Sequence, residues 1–256
     1  MTAGTTIKKT FKRTIRRMGF DIIKATRFPP NEIHFLHIGK NAGTQIKRLS
    51  DAINRQAPDR PIIPHTHDFC LKHLPLGARY FFSIRDPISR FKSGFYSQKH
   101  HGRPAFNVPW TGDEEITFRE FAEANDLAES LFAEGDLGVK AWAAINSIRH
   151  TAQHQSDWFY LRGQFLTLTP PIWIIRQERF DEDFGIFLRR AGYDISLENL
   201  VTPRDPATSN KGNYSDIPPI SEKGRENLRR WYAQDIEFCR ACEGWLESQR
   251  AQEDNG

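Results

Sequence analysis

The chain has 256 residues, 38% of them hydrophobic and 27% charged, which fits one sizeable globular core and excludes a disordered or fibrous chain. No stretch approaches 18 apolar residues, the N-terminus lacks the apolar core of a secretory signal, and there are three cysteines, so neither a membrane-spanning helix, a secretory leader nor a disulfide scaffold is expected. Of the net charge of +4, residues 1–27 supply +7 through eight Lys/Arg against Asp21 alone, leaving a slightly acidic remainder that speaks against a nucleic-acid-binding surface.

The first 30 residues form a basic arm. Ile7, Phe11, Ile15, Met18 and Ile22 recur at spacings of three and four among lysines and arginines, a helical stripe that Arg27-Phe28-Pro29-Pro30 terminates. Such a stripe over residues 7–24 suits either an anionic membrane surface or the protein's own body. The expected location is therefore cytoplasmic, with a peripheral membrane contact as an option.

Residues 31–250 read as one domain. Ile33–Ile38 is a short strand, Thr44 to Asn54 a helix, and Ile62–His65 a second short strand. Ala78–Ile84 is the clearest strand, and Asp86-Pro87 then supplies an N-cap and a first-turn proline for a helix toward Gln98. A loop over 100–113 precedes helical patterns at Phe118–Glu134 and Val139–His154. Ile172–Ile175 is another buried strand, followed by a helix from Arg179 to Ala191. The proline-rich stretch 201–220 is a loop, and Ser221 caps a last helix through Trp245. Cys239 and Cys242 fall on the apolar face of that helix with Leu228, Tyr232 and Leu246, and they lack the second pair that a zinc site needs. Strands alternating with helices predict an α/β fold with a mostly parallel sheet flanked by helices.

Two constellations bear chemistry. Gly39-Lys40-Asn41-Ala42-Gly43-Thr44 joins a strand to a helix, where backbone N–H groups converge on an anion. The glycines allow close approach, Lys40 adds charge and Thr44 a hydroxyl; lysine precedes the second glycine, so this is not the Walker A pattern. In Arg85-Asp86-Pro87-Ile88-Ser89-Arg90-Phe91-Lys92-Ser93, Arg85 leaves the end of the central strand. With Ser93 it offers a guanidinium fork and a hydroxyl suited to a phosphate dianion. Between them, His65 and His67 are two apart in an extended stretch and share a face. His34 and His37 belong to the first strand and read as structural; His150 and His154 read as helix surface. Glu178, at another strand end, reads as a cap for the helix that follows it.

The two motifs together resemble the sulfotransferases, closest to the branch that modifies carbohydrate hydroxyls. The resemblance is strong over residues 33–97. It implies a P-loop-NTPase-like sulfotransferase fold and a donor, 3′-phosphoadenosine 5′-phosphosulfate (PAPS), with no metal. It also implies that Lys40, Asn41, Ala42, Gly43 and Thr44 hold the 5′-phosphosulfate and that Arg85 and Ser93 hold the 3′-phosphate. Lys211-Gly212 is similar to an element closing over the nucleotide. His67 would be the base, with His65 as its alternative, and the acceptor a glycan or glycolipid hydroxyl. Other readings are an ATP-dependent phosphotransferase with an atypical phosphate loop, or a non-catalytic nucleotide-binding module peripheral to a membrane.

Overall fold

A computed structural model describes residues 29–75, 77–104, 106–159, 164–200 and 217–254. Residues 1–28 of the basic arm and the Lys211-Gly212 pair lie outside these residues. The described part is α/β: four strands, β1 (Ile33–Leu36), β2 (Ile62–Pro64), β3 (Arg79–Ile84) and β4 (Ile174–Arg176), form one sheet in the order β2-β1-β3-β4. Every pairing is parallel. All four strands were legible as short apolar runs, because a sheet covered on both faces needs no polar alternation. Ile33, Phe35, Leu36, Phe81, Phe82, Ile174 and Ile175 are buried, and helices α1 (Gly43–Gln56), α7 (Phe180–Ala191) and α9 (Ala233–Asp254) supply partners such as Ile46, Phe187 and Leu246.

A second apolar cluster lies among helices. It unites α2 (Pro87–Lys99), α3 (Gly112–Glu120), α4 (Ala124–Ser130), α5 (Asp136–Ser147) and α8 (Glu222–Trp231) around Phe91, Phe95, Phe118, Leu127, Ile145 and Leu228. The sequence suggested unbroken helices over 118–134 and 139–154; both are interrupted. Thr111 and Glu114 form a reciprocal capping box that starts α3 at Gly112, and a second box between Glu123 and Asp126 restarts the chain as α4 after Phe121. At Ile148 the backbone turns extended, and a one-turn helix α6 (Arg149–Ala152) follows. The last helix is also two, α8 and α9, broken at Tyr232, with Cys239 and Cys242 free thiols buried as expected. Among the described residues no helix is long and apolar enough to cross a membrane.

The strand order fixes where a ligand can sit. From β1 the chain leaves for β2 on one side, whereas from β3 it leaves for β4 on the other. The loops at the carboxyl ends of β1 and β3 therefore diverge, opening a crevice at the point where the order reverses. Both sequence motifs occupy these two loops.

Candidate functional site

The loop after β1 reaches α1 through an unusual backbone. Lys40 and Ala42 take positive φ values of 69° and 60°, left-handed conformations that cost non-glycine residues about 1–3 kcal/mol each. Gly39 and Gly43 are needed for space instead. A Cβ on Gly43 would lie 1.7 Å from His37 Nε2, and one on Gly39 would lie 2.8 Å from His150 Nδ1. Ala42 is the N-cap of α1, with no side-chain cap and no acidic residue in the first turn. Alanine is among the poorest caps, so the partial positive charge of this helix start is left for something other than the chain's own side chains.

The start of α2 is the contrast. Asp86 caps it, accepting the Ser89 N–H at 2.7 Å, with Pro87 at the first helical position. That helix end is satisfied internally, and Arg85, just before it, is what the second loop contributes. The Arg85 guanidinium donates to Ser89 Oγ through Nε at 2.9 Å and to the Lys40 carbonyl at 3.2 Å. Arg85 thus leans across the crevice onto the first loop. Ser93 is buried two turns into α2, and the hydroxyl that accepts from the Arg85 Nε is that of Ser89. Burial pulls the Lys40 amine down to about 8, and the Arg85 and Arg90 charges push the same way. Among the described residues no ion pair engages Lys40. Three cations therefore crowd one loop, an arrangement that favours an anion.

Asn41 is buried and turned inward. Its Nδ2 donates to the Ser83 carbonyl at 2.9 Å and to Gln155 Oε1 at 2.6 Å, while Ser83 Oγ donates to the Asn41 carbonyl. Its amide nitrogen is spent on joining the loop to β3 and to Gln155, while Oδ1 is buried with no hydrogen-bond partner among the described residues. Thr44 is exposed in the first turn of α1.

The histidines sort into two groups. His65 Nε2 lies 3.1 Å from His34 Nδ1, and the His65 ring stacks on Phe69 at 3.6 Å between centroids. His67 instead packs on His37 at 4.0 Å and meets His150 edge-on at 5.7 Å. Nδ1 of His67 is 3.2 Å from the His37 carbonyl, an acceptor only, so Nδ1 bears the proton and Nε2 the lone pair. Burial lowers the His67 ring below its ordinary value, and it holds His37 and His150 down to about 3 and His34 and His65 to about 4. His37, His67 and His150 all lie against the anion-binding loop with lowered affinity for a proton, and His67 is the one whose ring nitrogen is fixed by a main-chain carbonyl.

Three readings need correction. His150 is not helix surface: its ring fills the space beside Gly39 and its backbone closes on Gly94. His154 stands 3.6 Å from the fully buried Asp235, whose carboxylate raises its affinity for a proton. Glu178 does not cap the helix after it; its Oε1 accepts the Asp86 N–H at 3.0 Å, tying the end of β4 to the start of α2. Residues that sequence reading missed are Arg90, Gln155 and Asp235. Arg90 was visible inside the second motif, yet nothing in a helix pattern signals that it is 1% exposed and donates to the Gly39 carbonyl at 3.0 Å. Gln155, a lone polar residue between helices, carried no signal at all.

Among the described residues no group of three or more His, Cys, Asp or Glu is placed to hold a metal ion. Comparisons of the chain with protein-family models, curated proteins and solved structures find no match.

Proposed function

We propose that this protein is a PAPS-dependent O-sulfotransferase acting on a carbohydrate or glycolipid hydroxyl. The observation that carries the reading is the uncapped start of α1 with the cations Lys40 and Arg85 beside it at the sheet's switch point. A donor that carries several anionic groups suits this cluster of charge, with a phosphosulfate against the α1 loop and a 3′-phosphate toward Arg85.

In this reading Lys40 and the first-turn N–H groups of α1 hold the 5′-phosphosulfate and stabilise charge that develops on its bridging oxygen. Arg85 and the α2 hydroxyls anchor the other end so that attack is in line. Nε2 of His67 takes the acceptor's proton as the acceptor oxygen bonds to sulfur. The bond from sulfur to the bridging oxygen breaks, and its electron pair leaves on adenosine 3′,5′-bisphosphate. Sulfuryl bears less charge than phosphoryl, so the lysine, the guanidinium and the helix start match the charge that must be balanced.

Isothermal calorimetry tests the donor assignment. PAPS should bind better than adenosine 5′-phosphosulfate and better than ATP with or without Mg²⁺. Arg85→Ala should weaken PAPS by about 2–4 kcal/mol, as expected for losing one partner of a charge-assisted contact, and leave adenosine 5′-phosphosulfate nearly unchanged. Equal losses for both ligands would remove Arg85 from the 3′-phosphate.

A further inference from the structure

We propose that Gln155 is a positioning residue that fixes the distance between the two anion-binding ends of this site. It would thereby set the preference for a ligand charged at both ends over one charged at a single end. The proposal rests on the donor assignment above and adds to it a residue 70 positions from Arg85 and 114 from Asn41.

The need for such a residue follows from the sheet. The β1–β3 ladder has its last paired residues at Leu36 and Phe82. Beyond that point the two loops run in different directions, and only side chains can hold them in register. Asn41 and Ser83 make the first connection. Gln155 makes the second, and it engages both the N–H and the carbonyl of Arg85, a carbonyl that the Cys239 thiol also approaches at 3.7 Å.

Its amide is used on both sides. Oε1 accepts from Asn41 Nδ2 at 2.6 Å and from the Arg85 N–H at 3.0 Å, while Nε2 donates to the Arg85 carbonyl at 2.8 Å. One planar group thus clamps the residue that leans on Lys40 to the loop that contains Lys40. Gln155 is fully buried, so its amide has no water to fall back on, and only a side chain that both donates and accepts can satisfy this set.

The clamp is itself held. The Gln155 N–H donates to Asp235 Oδ1 at 2.7 Å, and the Ser156 N–H reaches the same oxygen at 3.3 Å. Arg90 adds a strut beside it, donating to the Gly39 carbonyl at 3.0 Å and the Gln153 carbonyl at 2.7 Å and lying 4.0 Å from Asp235. The segment 153–156 is therefore a bracket that spans both loops, and Gln155 is its contact with the second.

Removing the amide leaves Asn41 bonded to Ser83, so the α1 end keeps its shape. Arg85 loses the two amide bonds at its backbone, leaving the longer Cys239 thiol contact on its carbonyl, and shifts relative to Lys40. The defect should appear at one end of the ligand only, which a residue needed merely for folding would not produce.

The test compares adenosine 3′,5′-bisphosphate with adenosine 5′-monophosphate by calorimetry on the full chain, wild type and Gln155→Met. Bisphosphate affinity should fall about tenfold or more, since displacements near 1 Å have large effects at such sites, with little change for the monophosphate. Should Gln155→Met not fold, Gln155→Asn, which keeps the amide but shortens its reach, should give the same one-sided loss. Equal losses for both ligands, or none in a folded variant, would overturn the proposal and leave the donor assignment standing. A wild-type chain with no preference for the bisphosphate would overturn both.

Discussion

Lys40 gives the site a pH dependence that can be worked out from its surroundings. The amine is buried and faces Arg85 and Arg90, which brings it from its ordinary value of 10.5 to about 8. Its charged form binds the anionic donor, so binding is supported below that value and lost as pH rises through it. A group titrating near 8 is about nine-tenths charged at pH 7 and about one-tenth at pH 9. The donor kcat/KM, which reports the free enzyme, should then be flat near pH 7 and fall about tenfold per unit above 8. Arginine stays charged far above this range, so Lys40→Arg should lose the descending limb even if its absolute rate is lower. The assay is initial-rate kinetics between pH 6 and 10 at limiting donor, with wild type and variant measured in the same buffers. A wild-type profile flat through pH 9, or a limb near 8 that persists in Lys40→Arg, would refute the reasoning.

Other outcomes follow from named contacts. His67→Ala should lower turnover about 10²–10⁴-fold with donor affinity nearly unchanged, the usual range for a lost general base. Because burial lowers the His67 ring below 6.5, the acid limb of wild-type kcat/KM, which reports the free enzyme, should lie below that pH, and a limb above it would point to another base. Gly43→Ala drives a Cβ into the His37 ring and should destabilise the fold by about 1–3 kcal/mol in urea titrations, as overpacking does. Gly185→Ala, in the middle of α7 with nothing within 4 Å of the new Cβ, should instead stabilise by about 0.5–1 kcal/mol; equal effects at the two glycines would contradict the packing described. Finally, the sequence of the basic arm predicts salt-sensitive co-sedimentation with anionic vesicles that a chain starting at Phe28 lacks, and equal recovery of both chains would defeat it.

What could be read in the sequence was local. The apolar runs of β1 to β4, the Asp86-Pro87 start of α2 and the Ser221 cap of α8 depend on residues within a few positions of each other, and each stands within about two residues of its expected place. The two anion-binding loops were legible for the same reason, since a strand end, a glycine and a helix start are adjacent in the chain. What escaped was set by distant partners. His150 is defined by Gly39, His154 by Asp235 and Gln155 by Asn41 and Arg85, and none of these pairs is closer than 70 residues apart. A second use of the glycines also escaped. Gly39 makes room for the ring of the distant His150 and Gly43 for that of the nearby His37, while the left-handed turns fall on Lys40 and Ala42, residue types that do not advertise them. The helix breaks at Phe121 and Ile148 were hidden because the apolar periodicity runs through them.

The central claim is tested most directly by sulfuryl transfer itself. The full chain would be incubated with radiolabelled PAPS and a panel of glycans, glycolipids and small hydroxylated metabolites, and both products followed. The account predicts label on a hydroxyl of at least one acceptor with an equal amount of adenosine 3′,5′-bisphosphate released, and loss of both in His67→Ala and Lys40→Ala. PAPS left intact with every acceptor, or transfer that survives both substitutions, would contradict it.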